Sequence, residues 1–443
     1  MTKNLQNNKK KSSPKNPAGL KVRLLASQRL QEVLDGKNFT PYNMSEINDG
    51  RDRALANRLI TVALRYHGHI NIIFEKTLQK GMPKKSDSFE AIMRIALSEL
   101  LFIKEMADHS SIFLAVEAIK QNKKTTHLSK LANGILRRVQ REKADFSNLA
   151  LADLFPDWLK NRWLKTYGKQ AVDEFGKALL KGAPLDLTLK EIDDDLIKNL
   201  GAKKLIFDSV RIVKRDCPVV ELAGFENGEW WAQDVASALP ARLMNLPAKS
   251  KVLDMCAAPG GKSAQLIKQG YEVSALEIDE KRLDRLKENL ARLNYQAKTI
   301  LADALIYQPK EKFDGIFVDA PCSSTGTFRR HPEVIWQNRK QQSEGRVALQ
   351  KLLVEHAISL LKPKGVLIYA TCSLEQNESE QVAKWVLEKF SNMISSPIKA
   401  SELDGKDILI NENGYLRSTP DMNPFLDNEE GMDGFFAARF IHQ

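Results

Sequence analysis

Apolar residues recur at three- and four-residue spacings through the first third of the chain. ANRLITVALRYHGHINIIFEKTL (56–78) and FEAIMRIALSELLFIKEMA (89–107) each carry that period. IFLAVEAIK (112–120) and LSKLANGILRRVQREK (128–143) repeat it. The spacing sets one apolar face on each helix, and strand patterns are scarce, so 21–145 is predicted as an all-α bundle. Residues 146–245 change character. Helical patterns in FPDWLKNRWLKTYG and AVDEFGKALL lead into the strand-like PLDLTLK, then CPVVELAGF and GEWWAQD. This reads as a small α/β connecting subdomain. From 246 to 443 short apolar runs alternate with amphipathic ones. SKVLDMC, YEVSALEID, AKTILAD, FDGIFVDAP and GVLIYATC are predicted strands. SAQLIKQG, KRLDRLKENLARL and GRVALQKLLVEHAISLLK are predicted helices, the last ending near Pro363-Lys364-Gly365. GYLRSTP and DGFFAARFI supply later strands. Such alternation predicts a doubly wound α/β domain with a mainly parallel sheet, whose ligands bind beyond the carboxyl ends of the strands.

Composition narrows the class. The chain has 443 residues, 43% of them hydrophobic, which is ordinary for a globular protein of two or three domains. No run of eighteen apolar residues predicts a membrane span. The polar N-terminus has no apolar stretch of the secretory kind. Cys217, Cys256, Cys322 and Cys372 lack paired spacing, so a disulfide framework and a zinc site are not expected, and a reduced, cytoplasmic protein is. Net charge is +11, and the first 23 residues hold Lys3, Lys9, Lys10, Lys11, Lys15, Lys21 and Arg23 with no acid. Residues 1–20 are therefore expected to form a disordered basic tail, either solubilising or drawn to a phosphate backbone. Arg137, Arg138, Arg141 and Lys143 form a second basic group, either a solvated face or an RNA contact. His67 and His69 do not share a helical face and read as structural, not metal-binding. Trp230 and Trp231 could stack on bases or pack in a core, and Arg329, Arg330 and His331 could clamp RNA or sit in a solvated loop.

The stretch DMCAAPGGKS (254–263) ends like a phosphate-binding P-loop. That motif needs a glycine where this chain has Cys256, and Pro259 removes an amide donor from the loop. Asp254 adds a carboxylate where a polyphosphate would lie. The same residues suit a cationic cofactor without phosphate, such as S-adenosylmethionine. Gly260 and Gly261 permit close approach, and the next helix offers its N-terminus to a carboxylate. Glu277, at a strand end, could accept both ribose hydroxyls, and Asp303 could meet an adenine amino group. A tight turn with ordinary surface acids is the alternative, and a degenerate P-loop the third reading.

Two further strand ends carry thiols. One reads Asp319-Ala320-Pro321-Cys322-Ser323, the other Thr371-Cys372-Ser373. A single cysteine is more often a small core residue. A cysteine after each of two strands, beside Asp319, fits a specific chemistry. A thiolate added at C6 of cytosine makes C5 nucleophilic. A base must then remove the C5 proton, and the thiol must leave. Lys262 is a candidate to favour the thiolate, and Asp319 could hydrogen-bond the cytosine ring.

DMCAAPGGK, DAPCS and ATCS, in this order, resemble the RNA cytosine-5 methyltransferases of the NOL/NOP2/Sun class over roughly 150–443. HPEVIWQ and DGFFAARF are similar to that class too. The helical part resembles the NusB RNA-binding fold, most clearly in LANGILRRVQRE. The resemblance implies an all-α NusB-like bundle joined to a Rossmann-like class I S-adenosylmethionine-dependent methyltransferase domain through the connecting subdomain. It implies methylation of cytosine C5 in RNA, with 16S RNA of the small ribosomal subunit as the expected substrate. Separately from the resemblance, a monomer with no metal and no membrane association is expected, since nothing in the sequence points to an obligate oligomer. The resemblance assigns Cys372 as nucleophile and Cys322 as the releasing cysteine. Asp254, Cys256, Ala257, Ala258, Pro259, Gly260, Gly261, Lys262, Glu277, Asp303 and Asp319 match positions around the cofactor and target base. A tRNA substrate, or a non-catalytic RNA-binding assembly factor, are the alternatives. Many relatives have Asp at Glu277, and an Arg-Val-Asn-like segment where this chain has Leu187-Thr188-Leu189-Lys190.

Overall fold

The computed structural model describes residues 17–84, 86–214, 217–337, 340–425 and 431–443. The expected basic tail lies outside the described residues up to position 16. The chain divides into two compact units, Met1–Pro156 and Asp157–Gln443.

The first unit is helical: α1 (Leu20–Leu34), α2 (Gly50–Arg65), α3 (His67–Thr77), α4 (Phe89–Phe102), α5 (Asp108–Gln121), α6 (Ser129–Arg141) and α7 (Lys143–Ser147). In α4 every residue from Phe89 to Leu100 except Glu90 is buried, so it forms the axis of the bundle. Around it, α6 buries Ala132, Ile135, Leu136 and Val139 and turns its basic residues outward. Asp49 caps α2 by accepting from the amides of Arg51 and Asp52. Arg23, grouped with the N-terminal charge by sequence, lies inside α1, where it pairs with buried Glu99 at 2.5 Å. A cation on the inner face of an amphipathic helix needs such a partner. His67 and His69 are both buried, and His69 Nε2 lies 2.9 Å from the carbonyl of Ala150.

The second unit opens with α8 (Asp157–Lys181), kinked at Gly168, whose φ is 82°. It continues with β1 (Leu185–Leu189), α9 (Asp194–Asn199), β2 (Ala202–Lys204), β3 (Ser209–Ile212), β4 (Trp230–Ala232) and α10 (Val235–Ala238). Then come β5 (Lys251–Met255), α11 (Gly261–Lys268), β6 (Glu272–Glu277), α12 (Glu280–Arg292), β7 (Lys298–Leu301) and β8 (Phe313–Asp319). The chain ends with α13 (Val334–Gln337), α14 (Lys340–Ser359), β9 (Leu361–Thr371), α15 (Glu380–Lys389), β10 (Met393–Ser395), β11 (Leu416–Ser418) and β12 (Phe435–His442).

Two sheets result. The small antiparallel sheet has the order β2-β3-β1-β4. The large one runs β10-β12-β9-β8-β5-β6-β7, with β11 beside β12. Strands β9, β8, β5, β6 and β7 are parallel, and the order reverses direction at the β5–β8 junction. That junction is the switch point at which such sheets bind ligands. Leu253, Met255, Ile316, Val318 and Leu367 face α14 and α15 in one core layer. Val252, Phe317, Ile368 and Ala370 pack on the opposite layer.

Several local expectations change. Pro363-Lys364-Gly365 does not end a helix. Leu361 already pairs with Phe313, and Val366 with Gly315, so the intervening residues bulge from β9. Lys364 takes φ 65° there, and the bulge accommodates a proline that cannot donate to a ladder. Trp230 and Trp231 are core residues, both buried. Leu187, Thr188 and Leu189 are buried in β1, and Lys190 donates to the carbonyl of Leu293 at 2.7 Å. Arg329 and Arg330 are neither clamp nor solvated loop. Arg330 pairs with Asp234 and, at 2.8 Å, with Asp433, tying the strand ends of the small sheet to β12. Arg211 adds a buried bidentate pair with Asp186 and a bond to the carbonyl of Gly431 at 3.0 Å. His331 stays exposed beside Glu333.

Candidate active site

Five strand ends build the site. The loop after β5 turns sharply at Cys256, with φ 61°, and at Gly260, with φ 102°; the Ala258–Pro259 bond between them is cis. A side chain at Gly260 would press on Leu286 at 3.2 Å in a conformation that disfavours any Cβ. The amide of Ala257 donates to Leu276 O at 3.0 Å, Arg282 holds Ala258 O at 2.9 Å, and Asn289 holds Pro259 O at 2.8 Å. Backbone and flanking side chains thus fix the loop from β6 and α12.

Asp254 is fully buried at the end of β5. Its Oδ2 accepts from Ser263 at 2.5 Å, while Oδ1 has no hydrogen-bond partner among the described residues. Burial pushes this carboxyl up to about 7, with Asp319 and Glu277 adding to the rise and Lys262 opposing it. An orphaned carboxylate oxygen among acids fits a cationic ligand and disfavours a polyphosphate. Burial also pushes the Cys256 thiol up to about 12, which keeps it an uncharged lining group.

Glu277 closes β6 but turns inward. It is 1% exposed; Oε1 accepts from the amides of Ile278 at 3.0 Å and Asp279 at 3.2 Å, and Oε2 from Ala258 at 3.4 Å. The extra methylene relative to Asp lets the carboxylate fold back onto the backbone. Asp303 lies two residues past β7, half-buried, accepting from the amide of Leu305 at 2.9 Å.

The chemistry-bearing groups converge at β8 and β9. Asp319 pairs with Ala370 across the parallel ladder, so the following loops run side by side. Cys322 Sγ and Cys372 Sγ are 3.5 Å apart. Lys262 reaches over from α11 to donate to Asp319 Oδ2 at 2.7 Å, and its ammonium sits 5.0 Å from the ring centre of Phe435. Burial pushes Lys262 down, but Asp319 outweighs it and the net shift is upward, so the ammonium stays charged. The two thiols divide in character. The hydrogen bond from Cys322 lowers Cys372 against the cost of burial, with help from Ser324 and Lys262. The same bond, with burial, raises Cys322 well above the ordinary thiol range. Cys372 is therefore the more readily ionised sulfur and Cys322 the proton-holding one.

The site also contains residues that sequence reading passed over. Ser324 lies 3.6 Å from Cys372 Sγ, held at φ 55°, ψ 21°. Ser323, Ser373 and Glu378 form a buried polar cluster beneath the two thiols. The signal was a serine following each cysteine, read only as part of a motif. Arg162 and Trp163 from α8 grip Glu375, the latter at 2.8 Å, and anchor the loop after β9. Among the described residues no group of three His, Cys, Asp or Glu is placed to hold a metal ion. No described helix is long and apolar enough to cross a membrane.

Comparison with known proteins follows the same division. Residues 241–441 match the family model described as 16S rRNA methyltransferase RsmB/F, and residues 20–141 match the NusB family. The chain is 31% identical to ribosomal RNA small subunit methyltransferase B of Vibrio vulnificus, over 96% of this chain and 100% of that one. It is 29% identical to the protein of the same description from Yersinia pseudotuberculosis, over 95% and 98%. Among solved structures, a methyltransferase homolog from Pyrococcus horikoshii matches at 26% identity and TM-score 0.53, covering 65% of this chain and 96% of its own. NSun6 from Pyrococcus horikoshii, solved with SFG, shares the fold at 20% identity and TM-score 0.54, over 65% and 98%.

Proposed function

Since the chain belongs to the 16S rRNA methyltransferase RsmB/F family, we propose that it transfers a methyl group from S-adenosylmethionine to C5 of a cytosine in 16S ribosomal RNA. The observation that carries the C5 chemistry is the thiol pair, 3.5 Å apart at the ends of adjacent parallel strands, one sulfur lowered and one raised.

The residues around the β5 loop fit the cofactor: the orphaned Asp254 Oδ1 suits its ammonium, the backbone at Gly260 and Gly261 admits close approach, and Glu277 and Asp303 flank the next strand ends. When bound, S-adenosylmethionine supplies an electrophilic methyl group. Cys372, as thiolate, adds to C6 of the cytosine, and the ring becomes enamine-like at C5. Asp319 faces the ring at N3 and the exocyclic amine, and the Lys262 ammonium holds that carboxylate in place. The Ser324 hydroxyl accepts from the Cys372 thiol, and it can rotate to donate once that sulfur is a thiolate. A base then removes the C5 proton with Cys322 assisting, and the electron pair left at C5 restores the ring double bond as the bond from Cys372 to C6 breaks. The target base must leave its stack to reach a strand-end pocket. The NusB-like residues 21–145 and the basic N-terminal tail supply affinity through phosphate contacts, and residues 146–245 connect them to the catalytic domain 246–443.

Tritium placed at C5 of cytidine in small-subunit RNA tests this reading. Methylation at C5 must release tritium to water in step with methyl incorporation. Methyl incorporation with all tritium retained would move the reaction to another atom.

A further inference from the structure

Beneath the two thiols lies a carboxylate that the chemistry above leaves unused. Glu378 is fully buried. Its oxygens each lie 3.1 Å from the Ser323 amide nitrogen, and Oε2 also accepts from Ser323 Oγ at 2.6 Å and Ser373 Oγ at 2.5 Å. Ser323 directly follows Cys322, and Ser373 directly follows Cys372. The two serine hydroxyls are themselves 2.9 Å apart. Glu378 is fixed in turn from β9, because Tyr369 donates its hydroxyl to the Glu378 carbonyl at 2.6 Å. One side chain therefore holds the residue after each thiol, and nothing but a few bonds separates it from either sulfur.

We infer that Glu378 is a positioning residue that sets the separation of Cys322 and Cys372, an inference that rests on the two-cysteine reading above. Donors and acceptors decide which side chain fits here. Every polar group aimed at Glu378 from these loops is a donor: one amide and two hydroxyls. A carboxylate accepts them all at once. A glutamine would turn an NH2 toward them, and the amide of Ser323 cannot rotate to accept. An aspartate would fall one methylene short of both loops. Burying a carboxylate is unfavourable, and apolar packing would stabilise a core equally well. What Glu378 contributes beyond packing is registry between two loops that must present their sulfurs to opposite steps of one reaction.

The test uses the full-length protein and phenylarsine oxide, which condenses with two neighbouring thiols to form two As–S bonds and release water. Wild type should retain the arsenical, and Cys322→Ala or Cys372→Ala should not, which assigns capture to this pair. Glu378→Gln and Glu378→Asp should lose roughly tenfold or more in capture and on the order of a hundredfold in kcat, as misplacement of reacting groups by about 1 Å does. Their KM for S-adenosylmethionine should stay at the wild-type value, which general loosening of the fold would not permit. Should the Glu378 variants fail to fold, Ser323→Ala and Ser373→Ala each remove one arm and decide the matter by the same capture assay. Folded variants with wild-type capture and kcat would overturn the inference. Cys322→Ala, expressed alongside, keeps the two ideas apart. If it traps RNA covalently while wild type captures no arsenical, the catalytic reading stands and the positioning inference falls. If it traps no RNA, the catalytic reading fails, and capture by the Glu378 variants still reports whether that residue sets the thiol spacing.

Discussion

Ser324 shows how one backbone angle can serve chemistry. A non-glycine residue at φ 55° carries a conformational cost of about 1 kcal/mol, yet here it places a hydroxyl 3.6 Å from the Cys372 sulfur. Ser324→Gly should therefore stabilise the fold by up to about 1 kcal/mol while raising the pH at which Cys372 is alkylated. Thermal melts and iodoacetamide rates across pH read the two effects separately; an unmoved alkylation profile would remove Ser324 from the chemistry. Asp254 gives a pH dependence with a definite sign. Its carboxyl is raised by burial to about 7 from an ordinary value of 3.8. Between those values the unfolded chain has released the proton and the folded chain has not. The unfolded state then binds fewer protons, so stability falls as pH rises from about 4 to about 7, by on the order of 3–4 kcal/mol. Asp254→Asn should flatten that slope in cofactor-free protein, measured by urea midpoints at several pH values. At this scale the sequence made the cysteines, Asp319, Lys262 and the β5 loop legible, because each sits at a strand end beside a recognisable turn. Glu277 was legible as a strand-ending acid, but its inward fold was not, since that depends on amides supplied by neighbouring turns. Glu378 was invisible, because its meaning lies in two serines from separate loops.

Elements position these residues through close backbone packing. Gly326, in the loop after β8, has no room for a side chain: a Cβ there would meet Gly434 O at 2.0 Å and Cys372 O at 2.9 Å. The amide of Gly326 donates to Cys372 O at 2.9 Å, and that of Gly434 to Gly326 O at 2.9 Å. Three segments, from β8, β9 and β12, thus stack backbone on backbone around the thiols. Gly326→Ala should cost about 1–3 kcal/mol through overpacking and depress activity further than stability alone explains. Urea unfolding and kcat at a temperature where the variant is fully folded would separate these; wild-type kcat would mean that the loops tolerate displacement. The alternating pattern revealed β5 to β9 and their helices because parallel strands covered on both faces read as continuous apolar runs. It misplaced the end of α14, because a Pro-Lys-Gly bulge and a helix stop look alike until strand pairing is known. The short β10 escaped notice, three residues being too few to establish a period.

Across the catalytic unit, buried charge joins the two sheets. Arg330 lies between Asp234 and Asp433, and Asp433 is raised to about 6 chiefly by burial, against the pull of Arg330. Arg330→Met should leave two buried carboxylates facing each other and cost about 3–5 kcal/mol, read as a lower urea midpoint. An unchanged midpoint would mean that the pair contributes no net stability. Sequence reading left Arg330 as either an RNA clamp or part of a solvated loop; the acids that neutralise it lie about a hundred positions away in either direction and have no local signature. Sequence reading set three parts, 21–145, 146–245 and 246–443, whereas the compact units divide once, after Pro156; the fold class, a helical bundle followed by an α/β domain, was plain from the change of period. The central claim is that Cys372 attacks cytosine C6 in RNA and Cys322 enables release. Its most direct test is Cys322→Ala expressed in bacterial cells and run on a denaturing gel beside wild type and the Cys322→Ala/Cys372→Ala double variant. The account predicts a slow, ribonuclease-sensitive band in the single variant only. The same band persisting in the double variant, or its absence from a folded single variant that binds S-adenosylmethionine and is given the target RNA, would contradict it.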